Sequence, residues 1–429
     1  MADDGVACQH NSSMVVSGTY LTRDGRLLFL TRFVRLFSYG MLGIVLVFYL
    51  TGLGLNETQT GLLLTLTLLG DTAVSLVLTT RADRIGRRRM LIAGAILMTG
   101  AGLAFAFTRN FLLLVVAGTV GVISPSGNEV GPFLPIEQAA LSGVVTDRIR
   151  TSVFAWYALA GAIASALGSL FAGAATGLME KAARTPVASQ RTIILLYAAF
   201  GLVLALIFLK LSPRVEVGAV PARAGVRRLF GIGASRGVVL RLSGLFALDA
   251  FGGGFVVQSF AAYWFYLRFG VQPATLGGIF FGANLFAGLS ALLATRLAAR
   301  IGLVRTMVFT HLPSNVLLML VPLMPNLRLA TLVLLLRFSI SQMDVPTRQS
   351  YIMAVVAPEE RAAAAGITGV ARTTGAAMAP MFAGLMFARP ALVNVPFFIA
   401  GALKILYDLL LYRAFAEVRP PEEKRDPVG

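Results

Sequence analysis

At 429 residues, 57% hydrophobic and only 13% charged, with a mean hydropathy of +0.78, this chain has the composition of a polytopic membrane protein and not of a soluble globular one. A net charge of +17 would suit a nucleic-acid surface, but the arginines stand at the ends of apolar segments and in alternate loops, which signals topology, so no nucleic-acid partner is expected. The single cysteine, Cys8, excludes an internal disulfide and a multi-cysteine metal site.

Each helical span needs about 20 apolar residues, and twelve such segments fit. A polar N-terminal segment (1–26) lacks a signal-peptide core, and its Asn11-Ser12-Ser13 is expected to face the cytoplasm unglycosylated. Span 1 is predicted over about 27–50, span 2 over 59–80 and span 3 over 90–108. Span 4 begins near Phe111 and is interrupted by Pro125, Pro132 and Pro135. Such breaks survive in a bilayer only where protein or a water-lined cavity re-satisfies the backbone. Spans 5 and 6 are predicted over about 152–177 and 192–211. The first is rich in Ala, Gly and Ser, which suits close helix contact. A basic linker (212–236) follows. Spans 7 to 12 are then expected near 240–266, 274–294, 304–324, 329–355, 362–387 and 395–412, before a charged tail (413–429). The arginine bias places both termini in the cytoplasm of a cell (inner) membrane.

The halves, 27–211 and 237–412, repeat one another. Phe48-Tyr49-Leu50 recurs as Phe265-Tyr266-Leu267, Gly54 and Gly61 as Gly270 and Gly277, and Arg84-Ile85-Gly86 as Arg300-Ile301-Gly302. The stretch from Leu134 to Arg150 matches Val345 to Arg361, pairing Pro135 with Pro346, Gln138 with Gln349 and Arg150 with Arg361.

The densest polar stretch is Arg81 to Leu91, RADRIGRRRML, with five arginines around one aspartate and one glycine. Cationic loops resist translocation, and Gly86 permits a tight reversal. The stretch resembles the loop between helices 2 and 3 of the major facilitator superfamily, G-x-L-A-D-R-x-G-R-R-x-x-L. Ala82, Asp83, Arg84, Gly86, Arg87, Arg88 and Leu91 match; Thr79 replaces the first glycine and Arg81 the leucine. The resemblance covers nearly the whole chain. It implies an all-α membrane protein of twelve transmembrane helices in two pseudo-symmetric six-helix bundles, with substrate at their interface. It also implies that spans 1, 4, 7 and 10 line the cavity, with 2, 5, 8 and 11 beside them. In the family the loop aspartate, here Asp83, meets the start of helix 11 near Ala362 to Gly366 as a conformational gate; the repeat places Ala299 where a second such aspartate would stand.

An ionisable group inside a span costs at least about 2.5 kcal/mol, so each is a functional candidate. Arg337, Ser341, Asp344 and Arg348 follow i, i+4, i+7, i+11 and share one face of an unbroken span 10, facing a cavity or an internal ion-pair ladder. Arg32 and Arg35 lie in span 1 on the stripe of Tyr39; so near a cytoplasmic end, they also have the option of snorkelling. The repeat aligns Arg32 with Asp249 in span 7, beside Gly252, Gly253 and Gly254, and these opposite charges are expected to pair across the axis in one state. Asp71 lies in mid-span 2, between Thr67 and Ser75. Burial disfavours a charged carboxyl, which suits a proton carrier or a satisfied packing residue. Glu129, after Asn128 in broken span 4, is a second proton candidate. Asn128 itself and Arg372 in span 11 are cavity candidates. His311, Lys404 and Asp408, on peripheral spans, are expected to be structural.

The segment Met343 to Gly366 is similar to a poorly characterised exporter subgroup. The Gly-Pro signature of the family's antiporters is absent from Gly161 to Gly173. No Walker motif occurs, which excludes a self-contained ATP-driven pump, and no cofactor or metal is expected. The expected function is secondary active transport by alternating access in a monomer, coupled to protons and exporting a small toxic or metabolic compound. Uptake or exchange of an organic anion clamped by arginines is the alternative, and a non-transporting receptor or scaffold on the same fold is a third.

Overall fold

The computed structural model describes residues 14–16, 19–127, 129, 131–144, 147–216, 233, 235–357 and 360–416. A short antiparallel ladder, β1 (Met14–Val16) with β2 (Thr19–Leu21), precedes the helices. The first bundle contains α1 (Arg23–Gly52), α2 (Glu57–Ile85), α3 (Arg87–Phe107), α4 (Phe111–Val120), α5 (Phe133–Val144), α6 (Asp147–Lys181) and α7 (Pro186–Phe208). The second contains α8 (Arg236–Gly254), α9 (Gln258–Phe269), α10 (Pro273–Ile301), α11 (Leu303–Leu320), α12 (Leu327–Phe338), α13 (Asp344–Val355), α14 (Arg361–Phe387) and α15 (Val395–Phe415). Three spans are interrupted: span 4 is α4 plus α5, span 7 is α8 plus α9, and span 10 is α12 plus α13.

The interruption of span 4 follows from its prolines. Those of spans 7 and 10 differ from the unbroken helices expected there. In span 7 the reason is Gly252 to Gly254, three residues of poor helix propensity that end α8. Residues 339–343 hold neither glycine nor proline. Ser339 there turns its hydroxyl onto Leu336 O (2.7 Å), a local bond that competes with continued helix.

Local chemistry sets the other ends. Asn56 and Gln59 form a reciprocal capping box at the start of α2 (2.8 and 3.1 Å), and Asn110 and Asn326 cap α4 and α12. Gly86 (φ +115°) and Gly302 (φ +86°) occupy the same reversal in the two halves, a backbone conformation that only glycine adopts freely.

The bundles meet along two pairs of helices, α2 with α14 and α6 with α10. The contacts are glycine on glycine. A Cβ added to Gly61 would lie 2.9 Å from Gly384 Cα, and one added to Gly173 would lie 2.8 Å from Gly277 Cα. Small residues let helix backbones approach where lipid gives no hydrophobic drive. Both contacts lie at the end remote from the termini. There the outer halves of α1 and α9 are sealed: Met41 to Leu50 and Phe260 to Phe265 are buried throughout, and Phe48 packs on Tyr263 and Tyr266. Toward the terminus-bearing end, Leu30 and Leu240 are about half exposed.

Candidate functional site

The break in span 4 is where the expectation of a re-satisfied backbone can be followed atom by atom. Gly131 N–H donates to Asp71 Oδ2 (3.1 Å), and Ser75 Oγ donates to Gly131 O (3.2 Å). Ser165 Oγ donates to Gly127 O (2.9 Å) and the Tyr197 hydroxyl to Val122 O. Ser259 N–H, at the start of α9, donates to Pro125 O (3.1 Å). The two interrupted spans of the sealed roof are thus joined across the bundle interface.

Below this roof the first bundle holds a closed ion-pair cluster. Arg32 and Arg35, one turn apart on α1, face Glu129 in the break and Glu137 on α5. Arg35 grips Glu137 with both terminal nitrogens (2.8 and 2.6 Å) and Glu129 through Nε (2.8 Å). Arg32 Nη1 lies 2.6 Å from Glu129 Oε2, its Nε donates to Tyr157 O (2.7 Å), and its guanidinium stacks 4.5 Å above the Tyr157 ring. Thr31 Oγ1 (2.8 Å) and the Tyr157 hydroxyl complete the shell of Glu137. Arg35 and Glu137 are fully buried, which is tolerable only because every charge is bidentate or multiply hydrogen-bonded. Two cations and two carboxylates cancel, so the cluster has no net charge to offer a ligand.

The second bundle repeats this arrangement with the signs exchanged. Its carboxylate is on span 7 and its arginine on span 10. Asp249 on α8 takes Lys404 Nζ from α15 (2.6 Å) and Arg348 Nη1 from α13 (3.1 Å). Arg348 also pairs with Asp344 (3.2 Å) at the start of α13. His311 and Asn315 on α11 hold Asp408 on α15 at 2.8 and 2.9 Å. Arg32 and Asp249, the opposite charges aligned by the repeat, do not pair in this state; each is held within its own bundle.

Four residues stand apart. Asp71, 6% exposed, has among the described residues only the Gly131 N–H bond, and its Oδ1 has no partner there. Arg337 and Arg372 are half-buried in the second bundle. Both lie in the field of Asp249, Arg372 also in that of Arg348 and Asp344. Among the described residues neither makes a hydrogen bond or ion pair, and the Nε of each is buried without a partner. Ser341, 4% exposed with an unpartnered hydroxyl, lies in the 339–343 interruption. The stripe Arg337–Ser341–Asp344–Arg348 is therefore not the single helical face that its spacing suggests. α12 ends at Phe338 and α13 begins at Asp344, so Arg337 and Arg348 belong to different helices on either side of a break.

The arginine knot holds the terminus-bearing end. Arg87 Nη1 donates to Ala139 O (3.1 Å), and Arg88 Nη2 donates to Leu209 O at the end of α7 (2.6 Å). The exposed positive end of α3 is capped by Glu216 from the linker, which accepts the N–H groups of Arg87 (2.6 Å) and Arg88 (3.2 Å). Arg84 is exposed. The side chain of Asp83 and residue Asn128 lie outside the described residues.

Residues 28–343 match the Major Facilitator Superfamily. The chain is a member of that superfamily. An uncharacterized membrane protein of Saccharomyces cerevisiae, YJR124C, is 32% identical over 426 residues, 92% of this chain and 95% of the relative. Among solved structures, the nucleoside transporter NupG superimposes with a TM-score of 0.70 at 13% identity, over 92% of this chain and 99% of NupG. A bacterial homolog of the human lysosomal transporter Spinster, inward-facing and unoccupied, gives 0.67 at 16% identity over 91% and 95%. These likenesses show the shared fold.

In this transporter the sequence alone misses Glu137, Tyr157 and the reach of Lys404. A signal for Glu137 was present: in the matched segments Leu134 to Arg150 and Val345 to Arg361 it aligns with Arg348. Lys404 gave no such signal, because only the crossing of α15 against α8 brings its Nζ to Asp249.

Proposed function

We infer that this protein is a proton-coupled secondary transporter whose substrate is a small organic anion, moved by alternating access between the two bundles. The substrate reading rests on Arg337 and Arg372. Every other charge of the two buried clusters is matched by a partner, whereas among the described residues these two guanidiniums make no hydrogen bond or ion pair, and a guanidinium's fixed fork of donors suits carboxylate or phosphate. The proton reading rests on Asp71. Glu129, Glu137, Asp249 and Asp344 all face cations, while Asp71 carries an orphaned oxygen that proton binding would relieve of its charge.

Efflux of a small toxic or metabolic compound is the second reading, favoured by one observation. The end remote from the termini is sealed, so with the termini in the cytoplasm of a cell membrane the resting transporter loads from inside. Reconstitution into proteoliposomes under an imposed pH gradient, with a panel of labelled monocarboxylates, phosphate esters and neutral analogues, separates the two. Arg337→Gln and Arg372→Gln are each expected to raise KM for the anion roughly tenfold or more. Equal transport of a neutral analogue by the parent and both variants sinks the anion reading.

A further inference from the structure

One buried network in the second bundle is used neither by Asp71 nor by the unpartnered arginines. His311 on α11 stands between two carboxylates from different helices. Its Nδ1 is 2.8 Å from Asp408 Oδ1 on α15, and its Nε2 is 3.7 Å from Asp249 Oδ1 on α8. All three side chains are buried. A neutral imidazole has one N–H and one lone pair, so it cannot offer a donor to both carboxylates. The imidazolium can.

Asn315 tightens the constraint. Its Nδ2 donates to Asp408 Oδ2 (2.9 Å) and also lies 3.1 Å from His311 Nδ1. Nδ1 therefore faces a donor and an acceptor together. With a proton on Nδ1, the contact to Asp408 is a charge-assisted hydrogen bond. With the proton on Asp408, the lone pair of Nδ1 accepts from the carboxyl and from Asn315. A single proton has two resting places on one short axis.

The charge so gained is not isolated. The groups facing His311 are Asp408, Lys404 and Tyr407 from α15, and Asp249 from α8. The Tyr407 ring stands edge-on to the imidazole at 5.8 Å. Asp249 is also bound to Lys404 and Arg348, and Arg348 to Asp344. Asp344 is the first residue after the interruption of span 10, and Arg337 lies just before it. When His311 is cationic, Asp249 is shared among three cations, and its hold on Arg348 and Lys404 weakens accordingly. Cationic charge is then freer to meet an anion at the break.

We propose that His311, with Asp408, is a proton-binding site on span 9 that couples protonation to anion binding through Asp249 and Arg348. The proposal rests on the transport reading above but is independent of Asp71. By linkage, a proton that favours the anion must itself be favoured by it to the same degree.

The test needs no identified substrate. The chain has two histidines, His10 and His311, so a His10→Gln protein labelled with ¹⁵N-histidine and held in lipid nanodiscs has one imidazole to observe. Its ring nitrogens are expected to change from the cationic to the neutral pattern as pH is raised. In Asp408→Asn, apparent proton affinity is expected to fall about tenfold. Spin labels at the terminus-bearing ends of α2 and α14 give the second readout, one that a merely structural histidine leaves still. Their separation should change with the same midpoint, shift with Asp408→Asn, and lose its pH dependence in His311→Gln. Asp408→Asn also serves if His311→Gln fails to fold. A ring that keeps one protonation state, a separation that ignores pH, or a midpoint unchanged in both variants overturns the proposal. None of these outcomes bears on transport itself, which the proteoliposome assay reads separately.

Discussion

The buried charges of this protein are resolved residue by residue into those that are held and those that are left over. Arg35 and Glu137 show the first kind: full burial is offset by bidentate contact and by hydroxyls from Thr31 and Tyr157. Removing one member of such a pair typically costs about 3–5 kcal/mol, because the other stays buried and unmatched. Asp71 is the second kind. Its one bond, from Gly131 N–H, supports the broken backbone of span 4, so a purely structural role competes with proton carriage. Asp71→Asn separates them, since the amide oxygen still accepts from Gly131 while the titrating group is gone. The variant is expected to fold with unchanged thermal stability and to exchange anion across the membrane in counterflow. Accumulation driven by a pH gradient should be lost. Retained accumulation would assign Asp71 to the backbone alone.

At the scale of elements, the interrupted helices and the glycine contacts divide the labour. Spans 4, 7 and 10 are broken where the buried clusters lie, and in span 4 the freed backbone groups are taken up by neighbouring helices. α2, α6, α10 and α14 are continuous and carry the bundle interface. At Gly61 against Gly384 there is no room for a side chain, for a Cβ on either glycine would come closer than real contacts allow. Gly384→Leu is therefore expected to force α2 and α14 apart at the end remote from the termini and to populate a state open there. Spin-label distances between the start of α2 and the end of α14 should lengthen. An unaltered distribution would mean that the seal is made by the aromatic contacts of α1 and α9 instead.

For the whole molecule, the two halves are alike in backbone and opposite in charge. Span 1 offers arginines to glutamates of span 4; span 7 offers an aspartate to the arginine of span 10. Among the described residues, the arginine–glutamate cluster of the first bundle is electrically closed, while the second bundle has two guanidiniums without an ion pair. The gate expected at Asp83 is a one-sided device on the same frame, since Ala299 takes the equivalent place. A partly buried contact between a carboxylate and a helix N-terminus is worth roughly 1–2 kcal/mol, enough to shift a balanced two-state equilibrium about tenfold. Asp83→Asn is expected to raise the population open at the terminus-bearing end and to slow turnover with the fold intact. Distances between the terminus-bearing ends of α2 and α14 measure it, and an unchanged distribution would make Asp83 a loop anchor only.

The sequence by itself determined the class of the molecule. Apolar runs of bilayer length, arginines in alternate loops, the reversal at Gly86 and the internal repeat are local or periodic properties, and each survives in the structure because nothing distant has to be known to read it. The proline break in span 4 was legible for the same reason. The break at 339–343 was not, since its residues include neither glycine nor proline. Nor was the pairing of charges. Spacing put Arg337 and Arg348 on one helical face, yet the chain separates them. It put Lys404 on a peripheral helix, yet its flexible stem reaches Asp249. Which buried charge meets which is fixed by helix crossings between residues as much as 155 positions apart, and only the tertiary structure decides it.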